Sequence, residues 1–467
     1  MEREQVSDLV ERVLARIQAG EMPATKELPA RPRGVFETVS EAVDAARTAQ
    51  QIVINQPLEK RREIIANIRR RCAEDVNTLA TMAHEETGLG RVEDKIKKNL
   101  LVIHKTPGPE ILEPVAWTGD AGLTLMERAP YGVIGSITPC TNPTETIICN
   151  GIGMVAGGNT VVFNTHPLAR RTSAYCIDLI NRASIEVGGP DNLMCCVEKP
   201  TIASAGELMK YPGVRLIVVT GGGEVVRAAM NSGKKCIAAG PGNPPVVVDE
   251  TADIAAAARG IVAGASFDNN IICTDEKLVL AVDKIADPLI QSMQANGSVL
   301  LRNHQITRLE KLLLTPDREH IDRSWVGRDA GKMLREIDVP FEGDPRLIIA
   351  EVPFEHPFIQ LEMLMPVIGI SRVRDVHEGI DKAVEAEHGY GHTASMWSKN
   401  LDALHRMSRV INCSIFIKNA SNYAGLGFGG EGFTSFTIAS PTGEGLTTAR
   451  DFTRVRRCTL AGYFRIV

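Results

Sequence analysis

The sequence predicts an α/β protein built on parallel sheets, and two observations carry that expectation. From Tyr131 onward, short apolar runs alternate with helical stretches. A glycine/proline segment, Ala239-Gly240-Pro241-Gly242-Asn243-Pro244-Pro245, then divides this rhythm into two series. In the first series, strands are expected at Gly132–Ile137, Thr160–Phe163, Leu193–Val197 and Arg215–Val219. Helices are expected between or after them at Thr144–Ala156, Leu168–Glu186, Ile202–Lys210 and Glu224–Ser232. Apolar strands separated by helices of this length suit a sheet covered on both faces.

Taken in order, residues 1–20 read as one helix. Val6, Leu9, Val10, Val13, Leu14 and Ile17 form a single apolar stripe, and the opposite face is Glu, Arg, Asp and Gln. Gly20 stops it, and residues 21–33, with Pro23, Pro29 and Pro32, behave as an extended spacer. A helix tethered in this way either packs on its own domain or lays its stripe into a groove on a partner. Residues 35–105 read as mostly helical, with helices at Val39–Gln50, Leu58–Ala73 and Val76–Thr87, and 112–131 as β-like or irregular. The second series restarts at Val246–Asp249, with a helix from Asp253 to Gly264 and strands near 277–282, 347–350, 365–370 and 414–417. The apolar terminal arm Gly462–Val467 suits strand addition to a neighbouring subunit, so a homo-oligomer is expected.

Composition narrows the function. The chain has 467 residues, 44% of them hydrophobic, enough for two or three domains. A net charge of −5 without a long basic run argues against a nucleic-acid partner. Ten scattered cysteines, with no CxxC pair and one vicinal pair, Cys195-Cys196, point to a reducing compartment rather than a disulfide framework or zinc site. No apolar run approaches the ~20 residues that span a bilayer, and no cleavable signal opens the sequence, so a soluble cytoplasmic protein is expected.

The chemistry gathers around Ser266-Phe267-Asp268-Asn269-Asn270-Ile271-Ile272-Cys273. A polar turn delivers a cysteine just ahead of the strand-like run Lys277–Val282, and a thiol at the mouth of a sheet suits covalent catalysis. A buried structural cysteine is the competing reading. Asn142 sits between Pro139 and Pro143, which fix its backbone, so its side-chain NH2 can donate to an oxyanion or simply make a local turn. Thr220-Gly221-Gly222-Gly223 follows a strand and opens a helix, a place for a phosphate or a plain tight turn. Gly151-Ile152-Gly153 is discounted as a dinucleotide fingerprint because it falls inside a helical run. His388 and His392 are not read as a metal pair, because Gly389 and Gly391 break the helix that would align them.

Several segments together carry a resemblance: Thr138–Thr146, Gly240–Pro245, Ser266–Cys273, Glu362–Pro366, Gly429–Gly432 and Pro441–Gly445. From about residue 34 to the end the chain resembles the aldehyde dehydrogenase superfamily. Within it, the resemblance is to the CoA-acylating enzymes of bacterial microcompartments that process ethanolamine or 1,2-propanediol. The fold implied is an aldehyde dehydrogenase fold in three parts. These are a Rossmann-like cofactor-binding domain (34–112 and 131–240), an α/β catalytic domain (241–436) and a small β oligomerisation element (113–130 and 437–467). Residues 1–20 with the 21–33 linker resemble the encapsulation peptide that docks such enzymes on a shell protein, which implies a place inside a microcompartment.

The resemblance also implies roles. Cys273 is the nucleophile, and Asn142 and the Cys273 N–H hold the oxyanion. Thr138, Pro139, Asn164, His166, Thr220, Gly221, Gly222, Gly223, Ala239, Gly240 and Glu362 border the NAD+ site, with Glu362 on the nicotinamide-side ribose. Asn164 and His166 stand where many relatives carry a lysine for the adenosine ribose, which leaves NAD+ against NADP+ open, and they serve CoA in the same cleft. His392 is placed along that cleft, and Asn419, Phe433 and Thr434 at the substrate pocket or in ordinary packing. Hydrolytic relatives carry a glutamate at the position of Ala239, where it activates water. An alanine cannot remove a proton, whereas a thiol ionises near ~8.5 and needs no strong base. The expected reaction is therefore conversion of acetaldehyde or propionaldehyde with NAD+ and CoA to an acyl-CoA. The alternatives are a hydrolytic dehydrogenase and a non-catalytic scaffold.

Overall fold

The computed structural model describes residues 28–467, so the expected helix over 1–20 lies outside the described residues. The chain divides into two compact units. The first comprises the described residues up to Glu86, Ile96–Ala239 and Phe433–Val467, and the second Thr87–Lys95 with Gly240–Gly432.

The first unit holds a six-stranded parallel sheet. Its order is Val35–Phe36, Met194–Val197, Thr160–Asn164, Val133–Ile137, Val214–Thr220, Lys235–Ala239. The three strands from 133 to 197 step outward in one direction, and the next two step in the other. The order therefore reverses between Val133–Ile137 and Val214–Thr220, which is where open α/β sheets take their ligands, outside the carboxyl ends of the strands. Buried residues on these strands pack with Val39, Val43 and Ala46 of the helix Val39–Asn55. That helix begins with a capping box in which the Thr38 hydroxyl accepts from the Glu41 N–H and the Glu41 carboxylate accepts from the Thr38 N–H.

Residues 112–131, read as β-like or irregular, form two regular antiparallel strands, Val115–Gly119 and Gly122–Pro130. The strand Thr453–Ala461 joins them over nine paired residues. A single strand of this kind shows little alternation until its partner, more than three hundred residues away, supplies the pairing. The sheet leaves Trp117, Val455 and Leu460 exposed. Gly151 and Gly153 lie within the helix Pro143–Ala156, where a Cβ on Gly151 would meet the Met194 side chain, so packing accounts for the glycine.

The second unit carries a seven-stranded parallel sheet. Its order is Ser298–Leu300, Leu347–Glu351, Val367–Val373, Leu278–Val282, Pro245–Val248, Thr393–Trp397, Ile415–Lys418. Two of these strands, Ser298–Leu300 and Thr393–Trp397, are additional to those expected from the sequence. The first is only three residues long, and the second follows a glycine-rich turn that reads as loop. Parallel pairing brings the starts of adjacent strands to one edge. Here it gathers the segments that precede Pro245, Leu278, Val367 and Thr393.

Candidate active site

That edge holds Gly242, Cys273, Glu362 and His392, each within a few residues of a strand start. Cys273 is half-buried in the loop between the turn Phe267–Asn270 and the strand Leu278–Val282. The approach to it is strained. Asp268, Asn269 and Asn270 have φ of 44°, 56° and 63°, three successive left-handed residues without a glycine among them, at ~1–2 kcal/mol each. Short polar side chains make this tolerable because they find hydrogen-bond partners, local for Asn270 and distant in sequence for Asp268. Asp268 accepts from the Arg91 N–H (2.7 Å) and Lys95 Nζ (3.0 Å), and Asn270 Nδ2 donates to the carbonyls of Ala265 (2.8 Å) and Glu276 (2.9 Å).

A lysine closes the loop from the other side. Lys277, 1% exposed, donates from Nζ to Asn270 O (3.0 Å), Asn270 Oδ1 (2.6 Å) and Ile272 O (2.8 Å). These three bonds use the three hydrogens of an ammonium on the two residues framing Ile271. The sequence pattern makes Lys277 the first residue of a strand, whereas in the structure it precedes the strand and its ammonium holds the loop that leads into Cys273. Its signal was a lysine directly preceding the fully apolar run Leu-Val-Leu-Ala-Val, a position whose charge must be paired if buried.

Burial dominates the electrostatics of this edge. Burial pushes the Cys273 thiol up to about 12, Glu362 raises it further, and the Lys277 ammonium and the Cys273 N–H oppose the rise. Burial pushes Glu362 up to about 7 against the pull of Lys277 and of the Gly242 N–H, which donates to Oε1 at 3.2 Å. His392 is driven down to about 3 by burial and by Lys277, so it is a neutral imidazole at pH 7. Its Nδ1 pairs with Thr393 Oγ1 (2.8 Å), and its Nε2 is buried without a partner. A Cβ on Gly242 would come within 2.9 Å of the His392 ring and 3.0 Å of the Cys273 carbonyl oxygen, so only glycine lets this backbone run between them. The Asp275 carboxylate is committed to the Tyr423 hydroxyl (2.9 Å) and the Ile272 N–H (3.1 Å). Among the described residues, no group of His, Cys, Asp and Glu could hold a metal ion.

In the first unit, the expected cofactor residues fall along the carboxyl edge of the sheet around the point where its order reverses. Thr138 and Pro139 follow Val133–Ile137, Asn164 ends its strand, Thr220 ends Val214–Thr220, and Ala239 ends Lys235–Ala239. The Thr138 hydroxyl is buried without a partner. Gly222 stands before the helix Gly223–Met230 without a side-chain cap, and a Cβ there would meet nothing within 4 Å. An orphan hydroxyl and an open helix N-terminus at this edge fit a dinucleotide phosphate and its neighbouring sugar. Gly221 N donates to Ala239 O at 3.2 Å, tying the glycine turn to the neighbouring strand, and Thr220 Oγ1 pairs with Thr437 Oγ1 at 2.8 Å.

Two of the expected contacts are engaged elsewhere. Asn164 Oδ1 accepts from Ser204 Oγ (2.6 Å) and its Nδ2 donates to Thr201 O (3.4 Å), while His166 Nδ1 accepts from the Leu168 N–H (3.2 Å). Asn419 likewise spends both ends of its amide on the Ser398 backbone, at 2.9 and 2.8 Å, so its role is to hold that turn. Thr434 is fully buried, and Phe433 is exposed. Ala239 puts a buried methyl group, with no titratable atom, where hydrolytic relatives are expected to carry their base. Asn142, 7% exposed, stands at the N-cap of Pro143–Ala156 but does not cap it.

The chain is similar to known proteins in sequence and in fold. The model of the aldehyde dehydrogenase family matches residues 20–307 and 345–454. Acetaldehyde dehydrogenase (acetylating) EutE of Escherichia coli K12 is 46% identical over 472 residues, covering 100% of both chains. A propionaldehyde dehydrogenase from the fucose utilisation bacterial microcompartment of Clostridium phytofermentans superimposes with a TM-score of 0.91 at 48% identity, over 93% of this chain and 100% of that one. A propionaldehyde dehydrogenase of Rhodopseudomonas palustris, solved with bound CoA and an acylated cysteine, gives a TM-score of 0.90 at 46% identity, over 92% of this chain and 98% of that one. Matched across nearly its whole length in sequence and in fold, the chain belongs to the aldehyde dehydrogenase family.

Proposed function

We propose that the chain oxidises a short aldehyde, acetaldehyde or propionaldehyde, to its acyl-CoA, and runs the same reaction in reverse. Cys273, as thiolate, forms the S–C bond to the carbonyl carbon. The oxygen becomes an oxyanion that the Cys273 N–H and the Asn142 amide NH2 receive. Thr138, the open turn Thr220–Gly223 and Glu362 are the residues that would hold the dinucleotide, Glu362 through a ribose hydroxyl. Bound NAD+ supplies the acceptor for the hydride that leaves the aldehyde carbon, so the acyl group stays as a thioester on Cys273. The CoA thiolate then bonds to the acyl carbon, and the Cys273 thiolate leaves as the C–S bond breaks.

The observation that carries the acylating reading is Ala239. A buried methyl stands at the position of the water-activating base. Glu362 and Asp275 are the carboxylates whose fields raise the Cys273 thiol, and both accept backbone N–H bonds. The test is product analysis with NAD+ and aldehyde, with and without CoA. Acyl-CoA formed only when CoA is present is expected, and steady release of free acid without CoA would overturn the proposal in favour of hydrolysis. Absence of both NADH formation and Cys273 labelling would support the scaffold alternative.

Residence in a microcompartment, docked through residues 1–20, is supported by the apolar stripe of that segment and by the source of the Clostridium relative. Deleting residues 1–20 is expected to leave turnover intact and to abolish co-purification with shell proteins. Retained co-purification would refute the docking role. The exposed apolar residues of the small antiparallel sheet support a homo-oligomer.

A further inference from the structure

Asn is a preferred N-cap residue because its side-chain oxygen accepts from the first free N–H groups of its own helix. Asn142 stands at that position and makes no such bond. Its Oδ1 accepts instead from Lys98 Nζ at 2.7 Å. Lys98 comes from the helix Val92–Lys105, is fully buried, and lies 3.4 Å from both Glu145 Oε1 and the Thr141 carbonyl oxygen. Glu145, also fully buried, is three residues beyond Asn142 and accepts from Asn99 Nδ2 (3.3 Å) and Thr144 Oγ1 (3.2 Å). All of these residues belong to the first unit.

An amide has two ends of nearly the same shape, and only their hydrogen bonding tells them apart. An ammonium donates and never accepts, so Lys98 can face only the oxygen end. With the oxygen held, the NH2 is committed to the opposite direction. One of its hydrogens reaches Thr141 Oγ1 at 3.3 Å, and an amide nitrogen carries two. A cation on the carbonyl oxygen also polarises the amide and strengthens its N–H as a donor. As a stability device the arrangement is poor, because a buried ion pair seldom outperforms apolar residues of the same volume. Its effect is on direction.

We propose that Lys98, with Glu145 as its buried counter-ion, is a positioning residue that clamps Asn142 Oδ1 and so commits the Asn142 NH2 to the oxyanion formed on the substrate. The proposal rests on the reading of Asn142 as an oxyanion donor.

The test is a mutant cycle on kcat and KM for aldehyde oxidation with saturating NAD+ and CoA. Because Lys98→Met alone would strand a buried carboxylate, the variant is the neutral pair Lys98→Met/Glu145→Gln, compared with Glu145→Gln alone. Asn142→Ala by itself is expected to lower kcat about 10²–10³-fold, and full activity there would sink the underlying reading. Given that loss, the neutral pair is expected to lower kcat at least about tenfold with KM little changed, since the lost contact is made in the transition state. Added to Asn142→Ala, the pair is expected to cost less than about twofold more. The same fold-loss in both backgrounds, or a fully active neutral pair, would overturn the proposal. If the methionine variant does not fold, Lys98→Gln/Glu145→Gln decides. Its NH2 is uncharged and one bond shorter than the lysine ammonium, so a kcat loss of about tenfold that shrinks below about twofold on Asn142→Ala is expected, and the same loss in both backgrounds, or none in either, would overturn the proposal.

Discussion

Replacing Lys277 by methionine should slow the chemistry of Cys273 by a route that the structure makes quantitative. Methionine keeps the reach of the lysine stem and removes the ammonium. Three acceptors then lose their partner: the Asn270 carbonyl, the Asn270 side-chain oxygen and the Ile272 carbonyl. Each buried acceptor left unsatisfied costs ~1–3 kcal/mol. Against this, the desolvation penalty of a buried ammonium, which already holds the Lys277 pKa down, is relieved by several kcal/mol. The balance is a destabilisation on the order of 3 kcal/mol, concentrated in a loop that already contains three left-handed residues.

The nucleophile is affected separately. Lys277 is the side-chain cation that opposes the rise of the Cys273 thiol, so its loss moves the thiol further up. At a fixed pH below that pKa, each unit of rise lowers the thiolate fraction about tenfold. The assay is the rate of Cys273 alkylation by iodoacetamide between pH 7 and 10, read on the Cys273 peptide by mass spectrometry because nine other cysteines are present. Lys277→Met is expected to react at least about tenfold more slowly at pH 8, with its profile displaced to higher pH, while Lys277→Arg retains the charge and most of the rate. A folded Lys277→Met protein with the rate and profile of the unsubstituted enzyme would refute the reasoning.

Other expectations follow from the same geometry. Burial pushes Glu276 up to about 8 from the usual 4.5, so in the window between these values the folded chain holds a proton that the unfolded chain has released. Stability therefore falls as pH rises through that window; Glu276→Gln should remove the slope, and a stability difference constant between pH 5 and 8 in denaturant titrations would contradict this. Gly222 has φ −66° and open space at its Cβ, so Gly222→Val should leave Tm unchanged while raising KM for NAD+ about tenfold or more; an unchanged KM would place the phosphates elsewhere. Charging the exposed face of the small sheet with Trp117→Asp and Val455→Asp should shift the protein to monomer in analytical ultracentrifugation. An unaltered assembly would show that another surface mediates it.

What the sequence made legible was whatever a residue expresses through its own neighbours. The strand Val133–Ile137 and the helices Val76–Thr87 and Ile202–Lys210 are local patterns with local stop signals. Cys273, Asn142 and the Thr220–Gly223 turn stand out because prolines, glycines and short polar residues mark turns where a backbone must take an unusual course. The alanine at 239 was informative through the resemblance, since one missing carboxylate changes which nucleophile can finish the reaction.

The buried cations were not legible, and the reason is physical. Lys95 and Lys98 sit on Val92–Lys105, a helix beyond the three named from the sequence, and in Glu-Asp-Lys-Ile-Lys-Lys-Asn they look like an ordinary solvated face. Both are fully buried because segments far away in sequence cover them. Asp268 lies 173 residues from Lys95, and Asn142 lies 44 residues from Lys98. A lysine's charge is written in the sequence, but its partner is fixed only by tertiary contact. The residues most exposed to this blindness are those that act on a catalytic group rather than on substrate. Lys277 acts on the loop of Cys273, and Lys98 on the amide of Asn142. Each spends its hydrogens on oxygen atoms, Lys277 on the residues leading into Cys273 and Lys98 on the amide whose N–H it directs. Where such groups are buried, direction is the scarce quantity, because a polar group turned away from its partner finds no ready replacement.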